Sequence, residues 1–243
     1  MGRVRVFDAV RGFSVLSMMA FHLCYDLRYL YGLPMAWFVS PFLDVWRASI
    51  SWTFLFVAGC MCVLSRSNLR RGLVYGAFAL LIFVATSVAA ADVPISFGII
   101  FCMSACTLAY ALLERLRLAP RGPVAGLVLL ALFVASLGVT RGFVGVGPLT
   151  FDLPASLYAT DRLSWLGFPG PTFESGDYYP VLPYLLMYLS GASFNAWWKG
   201  RGYPERLRGP VCRPLEFVGR HALAFYVAHQ PLILAALWLA LRA

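Results

Sequence analysis

Charge is scarce in this sequence. Of its 243 residues only 13% are Asp, Glu, Lys or Arg, whereas 60% are hydrophobic. Soluble globular domains usually carry about 25% charged residues, so the composition argues against a soluble domain. It indicates instead an integral membrane protein, in which each helical span needs about 20 mostly apolar residues.

The sequence signatures of several enzyme and binding classes are also missing. The chain has no nucleophilic serine elbow, no glycine-rich phosphate loop and no convincing set of metal ligands. Cys102 and Cys106 are one helical turn apart, but no histidine or carboxylate accompanies them, so we expect packing rather than a metal site. Most of the cysteines fall in predicted helices, which is not the pattern of a disulfide framework. The net charge of +9 does not indicate nucleic acid, because the cations lie mostly in short loops between apolar segments.

About seven apolar segments have the length of a membrane span. They cover residues 8–29, 44–65, 72–91, 95–114, 123–140, 180–198 and 217–240. Cations are concentrated in the amino-terminal segment, which includes Arg3, and in the loops 65–72, 115–122 and 199–214. The positive-inside rule places these segments in the cytoplasm.

The spans and their loops predict an all-α fold. We expect a polytopic helical bundle that forms a single domain over residues 1–243, with a cytoplasmic amino terminus and the carboxyl terminus outside. Lys199 is the one lysine among the 20 cations, and this bias to arginine indicates a GC-rich bacterial genome. The expected location is therefore a bacterial cell membrane, with membrane lipids around the spans.

The connection at 141–179 is unusually long and is rich in glycine, proline and aromatic residues. Loops of this length are uncommon unless they are functional or disordered, and disordered segments are poor in aromatics. We interpret it as a structured lid or substrate platform on the outer face, with Asp177 as a candidate substrate-binding residue. The alternative is an interfacial loop whose aromatic residues lie at headgroup level.

Residues 7–27 of the first predicted helix carry two aspartates, an arginine and a histidine. At 100° per residue, Arg11 and His22 lie on the same face, about 16 Å apart, and Asp26 follows His22 one turn farther out. Ionised groups in a membrane are costly, so they persist mostly where they line a site. We predict that His22 and Asp26 are catalytic, with the carboxylate orienting the imidazole. Asp8 is expected to pair with Arg11.

The last predicted span supplies a second polar cluster. Pro231 cannot donate a backbone hydrogen bond, so we expect a kink that lets His229 and Gln230 reach a cavity. His221 lies 80° around the helix from His229, so the two cannot face one ligand squarely. We predict that His229 lines the site; the alternative is a hydrogen bond that ties this helix to the first span.

Several short stretches carry a family resemblance. They are Arg5–Gly12, Met18–Leu27, Phe54–Gly59, Ile95–Ile100, Asp177–Pro183, Gly219–Leu223, Tyr226 and His229–Pro231. On these stretches the chain resembles the heparan-α-glucosaminide N-acetyltransferase catalytic-domain family, and specifically its small bacterial members. The spacing of Arg11 and His22 also resembles the motif of the acyltransferase-3 family, a distant relative. Two features differ from these patterns: Phe101 stands where many members have histidine, and the cations after the second span follow an Arg66-x3-Arg70 spacing instead of Arg-x2-Arg.

The resemblance implies a transmembrane acyltransferase. Acetyl-CoA or another acyl-CoA would be the cytosolic donor, and a hydroxyl or amine of a glycan or glycolipid would be the acceptor on the outer side, with no metal. His22 matches the catalytic histidine and Arg11 the motif arginine, which we assign with Asp8, His229, Gln230 and Asp177 to donor or substrate binding.

Three alternatives stay open. Within acyl transfer, a covalent acyl-histidine could replace direct attack. The chain could also be a proton-coupled transporter or flippase that uses His22, Asp26 and His229 as a relay. Finally, it could be a non-catalytic membrane subunit.

Overall fold

A computed structural model describes residues 4–89 and 93–241. The chain is 69% helical. Its helices are α1 (Arg5–Tyr25), α2 (Phe42–Cys62), α3 (Asn68–Val88), α4 (Ile99–Arg115), α5 (Pro123–Ala135), α6 (Val181–Arg201), α7 (Glu205–Arg208), α8 (Arg213–Arg220) and α9 (Ala222–Leu241). A π-helical turn, Asp26–Leu30, continues α1. An antiparallel hairpin follows α5, with strands β1 (Phe143–Val146) and β2 (Leu149–Asp152).

Five helical segments in the described part of the chain are long and apolar enough to cross a membrane. They are Arg5–Leu30, Phe42–Cys62, Asn68–Val88, Pro123–Arg141 and Ala222–Leu241. The chain therefore has the helices of a polytopic membrane protein. The expected spans at 95–114 and 180–198 correspond to α4 and α6, which fall outside this set, so the count of seven and the orientation stay predictions. Arg3 and the end of the third predicted span, at 90–91, lie outside the described residues.

The start predicted for the last span, residue 217, is wrong. α8 ends at Arg220, and His221, with φ −107° and ψ 23°, separates it from α9. The hydropathy pattern missed this break because apolar residues stand on both sides of it. Pro231 lies inside α9, which continues to Leu241; the expected bend there stays a prediction.

The described chain divides into two compact units, Met1–Val57 with Gly202–Ala243, and Ala58–Arg201. In the first unit, α1 and α8 cross at two glycines. A Cβ at Gly219 would collide with the carbonyl oxygen of Asp8, and one at Gly12 would collide with that of Leu215. The two backbones are therefore in direct contact, as small residues allow between membrane helices.

In the second unit, serine hydroxyls join neighbouring helices at glycine carbonyls. Ser104 Oγ donates to the Gly72 oxygen at 2.8 Å and so links α4 to α3. Ser190 Oγ donates to the Gly126 oxygen at the same distance and links α6 to α5. Such bonds satisfy the hydroxyls where the surroundings are apolar.

The long connection at 141–179 has defined structure, as its aromatic content predicts. Besides the hairpin it contains two 3₁₀ turns, Ala155–Tyr158 and Asp161–Leu163. Tyr178 Oη donates to the Ser164 carbonyl oxygen at 2.6 Å. Burial raises the pKa of Tyr178, so its phenol stays protonated as the donor. The role of the segment as a lid or platform stays a prediction.

Candidate active site

The predicted ion pair between Asp8 and Arg11 is confirmed. Arg11 Nη2 lies 3.4 Å from Asp8 Oδ1, and the two side chains are 13% and 3% exposed. Both residues stand beside the Gly12–Gly219 crossing, where Asp8 also presents its carbonyl to α8. The pairing compensates two charges that would be expensive to bury singly.

The two histidines singled out in the sequence face each other. The ring centroids of His22 on α1 and His229 on α9 lie 4.9 Å apart, at an interplanar angle of 58°. His229 Nδ1 contacts the backbone carbonyl oxygen of Tyr226. Because a carbonyl only accepts, Nδ1 must carry the hydrogen, and in the neutral ring Nε2 is then the acceptor. His229 is buried and His22 is half-buried.

Asp26 contacts α9 instead of His22. Its Oδ2 accepts a 2.9 Å hydrogen bond from Gln230 Nε2, and the residue is 5% exposed. Among the described residues, no ion pair joins Asp26 to His22, and neither ring nitrogen of His22 has a protein hydrogen-bond partner. The helical spacing predicted a contact between Asp26 and His22. The aspartate side chain is short, however, and the Gln230 amide on α9 donates a hydrogen bond to its carboxylate. The described residues therefore show no contact through which Asp26 could orient the His22 imidazole directly.

Gln230 retains an open acceptor. Its Oε1 is buried and has no hydrogen-bond partner among the described atoms. An unmatched buried carbonyl is costly, and an incoming O–H or N–H group would satisfy it. His229 and Gln230, consecutive residues of α9, thus meet His22 on α1 and Asp26 at the start of the π-helical turn that continues α1.

An aromatic cluster that the sequence reasoning missed packs beside His22. Phe21 lies 5.4 Å from Phe38 and 5.5 Å from Trp46, measured between ring centroids. Trp46 Nε1 also donates to Ser17 Oγ on α1 at 2.8 Å. The density of aromatic residues between 21 and 46 was the available signal. These rings fix the face of α1 next to the histidine pair.

Asp177, the remaining predicted site residue, belongs to the second unit and caps α4. Its Oδ2 accepts from the backbone N–H of Ile99 at 3.1 Å. Gly98 precedes this helix, and a Cβ there would lie only 2.8 Å from the same oxygen. Asp177 therefore satisfies one of the free N–H groups at a helix start. Its assignment to substrate binding stays a prediction.

The thiols of Cys102 and Cys106 pack together inside the second unit. Their sulfur atoms are 3.8 Å apart, and Cys102 Sγ lies 3.6 Å from the Pro180 carbonyl oxygen. Within residues 4–89 and 93–241, no group of three or more His, Cys, Asp or Glu residues could hold a metal ion.

These features define a polytopic helical membrane protein with a histidine pair and a carboxylate–amide pair between two of its apolar helices. The profile of the heparan-alpha-glucosaminide N-acetyltransferase catalytic family matches residues 3–231. The chain therefore belongs to this family, which confirms the resemblance seen in the sequence. Membership indicates a membrane acetyltransferase, and the family in general uses acetyl-CoA as donor. Comparison with curated proteins and with solved structures found no significant match.

Proposed function

We propose that this protein moves an acyl group from a cytosolic acyl-CoA to a sugar or glycolipid hydroxyl or amine on the outer side of the membrane. The observation that carries the proposal is the pairing of His22 with His229, one turn from the Asp26–Gln230 hydrogen bond. A general base at His22 would lie against the His229 ring and next to the Asp26–Gln230 hydrogen bond. The family indicates the class of reaction, which is acetyl transfer.

The chemical step needs one base and an activated donor. A ring nitrogen of His22 removes the proton of the acceptor O–H or N–H while the acceptor atom attacks the thioester carbonyl carbon. The tetrahedral intermediate then collapses, the C–S bond breaks, and the imidazolium returns its proton to the departing thiolate. The new ester or amide and the free thiol balance the reaction.

The neighbours of His22 have separate roles in this scheme. His229, whose ring is fixed by the Tyr226 carbonyl, packs against His22 and holds its orientation. Gln230 Oε1 is positioned to accept a hydrogen bond from the acceptor substrate, since its amide nitrogen already binds Asp26. Asp26 thereby acts through Gln230 as a positioning residue.

The donor runs along α1 in this proposal. Arg11 and His22 lie about 16 Å apart on one helix face, a distance that suits an extended pantetheine arm with its thioester at the imidazole. Arginine keeps its charge and offers several donors to phosphate. Arg11 would therefore contact the phosphate end of the donor while Asp8 supports its side chain.

The proposal is tested first in cells. A deletion strain is complemented with the natural protein or with His22→Ala, and the glycans and lipids are compared by mass spectrometry. We expect an acyl group to be lost on deletion and restored only by the natural protein. An unchanged pattern of acylated glycans and lipids on deletion would contradict acyl transfer. Donor-independent proton flux in proteoliposomes would favour the transporter alternative instead.

A further inference from the structure

The hairpin that follows α5 has one apolar face. In its register, Val144 pairs with Phe151 and Val146 with Leu149. Paired residues of an antiparallel ladder point to the same side of the sheet, and side chains alternate along each strand. The four apolar side chains therefore share a face.

The opposite face of the hairpin is different. It carries Gly145 paired with Thr150, and Phe143 paired with Asp152. Three of the four apolar side chains are exposed: Val146 by 57%, Leu149 by 71% and Phe151 by 67%; Val144 is half-buried. A two-stranded hairpin is at best marginally stable by itself in water, so we expect another surface to cover the exposed apolar side chains.

The attachment of the hairpin limits where it can lie. β1 begins two residues after the candidate span Pro123–Arg141 ends. The Phe143 ring packs so closely on Gly138 that a Cβ there would collide with it. The first strand is thus fixed to the end of the apolar segment.

The length of α5 determines the level in the membrane at which the hairpin lies. α5 is 13 residues long, which gives about 20 Å of helix, whereas the hydrocarbon core of a bilayer is about 30 Å thick. If the core begins near Pro123, just after the exposed Arg121, its far boundary falls past the end of α5, close to Arg141. The Arg141 guanidinium lies 5.1 Å from the centre of the Phe143 ring, and a cation at this level suits lipid phosphates.

We propose that the hairpin is an interfacial anchor, whose face of Val144, Val146, Leu149 and Phe151 is covered by the lipid surface. Apolar and aromatic side chains enter the boundary between headgroups and acyl chains by about 5–10 Å, and the opposite face stays in contact with water. The anchor would fix the end of α5 and the start of the long connection at a defined depth, whatever reaction the protein performs.

The test uses nitroxide labels on the full-length protein in lipid nanodiscs. Cys24 and Cys212, the partly exposed cysteines, are first replaced by serine. Labels are then placed by Leu149→Cys and, as the matched control on the opposite face of the same strand, Thr150→Cys. Collision with oxygen, which dissolves in lipid, is compared with collision with a water-soluble nickel chelate.

We expect the Leu149→Cys label to show a ratio of oxygen to nickel collisions several-fold higher than the Thr150→Cys label. Equal ratios at the two sites would overturn the proposal. It would also fall if the Leu149→Cys label were shielded from both reagents and broadened by a second label, because a second copy of the chain would then cover the face. A second pair, Phe151→Cys and Asp152→Cys, gives the same comparison if the first variants fold poorly.

Discussion

His22 is the side chain whose removal tests the proposed chemistry most directly. In His22→Ala the acceptor loses its base, so the rate should fall by about 10²–10⁴-fold while the protein stays inserted. Asp26→Asn should cost less, because Asp26 contacts Gln230 and not the imidazole. The measurement is release of free coenzyme A by the purified variants in lipid, with an acceptor extract from the deletion strain.

The control for His22→Ala is a second histidine on the same unit. His221 is exposed, and its Nδ1 contacts the Phe217 carbonyl oxygen at 2.9 Å. His221→Ala should therefore leave the rate unchanged. Full activity of His22→Ala would contradict the assignment of His22 as the general base.

Arg11 distinguishes donor binding from helix anchoring. If Arg11 contacts donor phosphates, Arg11→Gln should weaken coenzyme A binding by about tenfold or more, the value of a charged hydrogen bond. Arg5→Gln, on an exposed residue at the same end of α1, should leave binding unchanged. Calorimetric titration in detergent gives both values. If Arg11→Gln binds coenzyme A as tightly as the natural protein but melts at a lower temperature, Arg11 serves only to pair with Asp8.

Asp177 has two possible roles that a pair of substitutions separates. Asp177→Ala loses the oxygen that caps α4 and should lower the free energy of unfolding by about 1 kcal/mol. Asp177→Asn keeps one oxygen and should keep most of that stability. If Asp177 also binds substrate, Asp177→Asn will reduce the rate at normal stability. If Asp177→Asn is as active as the natural protein, the function of Asp177 is to cap α4.

At the residue scale, the sequence predicted the ion pair between Asp8 and Arg11 but not the partner of Asp26. Helical spacing placed Asp8 near Arg11 and gave the shared face of His22 and Asp26, since both follow from 3.6 residues per turn. It could not show that Gln230 takes the Asp26 carboxylate, because that contact joins residues 204 positions apart. Local periodicity carries no information on such tertiary partners.

The crossing of α1 and α8 is the element whose disruption should be most visible. Gly219→Ala places a methyl group against the Asp8 carbonyl oxygen, a backbone atom that cannot rotate away. Overpacking of this kind costs about 1–3 kcal/mol, so the melting temperature in detergent should fall. Gly209→Ala is the matched control, because its Cβ would lie at an ordinary 3.7 Å from the nearest atom. Equal melting temperatures in the two variants would show that the helices can separate without cost.

Hydropathy identified the helices better than the irregular elements between them. The predicted span 44–65 corresponds to α2 at Phe42–Cys62, and 180–198 to α6 at Val181–Arg201. Long apolar runs give a strong signal, whereas β1 and β2 have four residues each. Strands this short, joined at Gly147 and Pro148, have too few residues for alternation to stand out from the glycine-rich sequence around them.

On the scale of the whole molecule, the open prediction is the direction of transfer across the membrane, which depends on orientation. The positive-inside rule predicts that the arginine-rich loops 65–72, 115–122 and 199–214 lie in the cytoplasm and that the long connection lies outside. The direction from cytosolic acyl-CoA to an outer acceptor follows from this arrangement. The same helices inserted the other way would reverse it, so reporters are needed on both sides.

Suitable reporter positions are those where a cysteine disturbs nothing. Leu118, in the loop 115–122, and Glu174 are exposed, and Gly200 has open space around its Cβ position. With Cys24 and Cys212 replaced by serine, a membrane-impermeant maleimide should label Glu174→Cys in intact spheroplasts. Leu118→Cys and Gly200→Cys should react only after permeabilisation. The cations nearest to the spans determine the orientation, so all three reporters should indicate the same one. If Glu174→Cys were labelled only after permeabilisation, the orientation would be the reverse of the predicted one, and so would the proposed direction of acyl transfer.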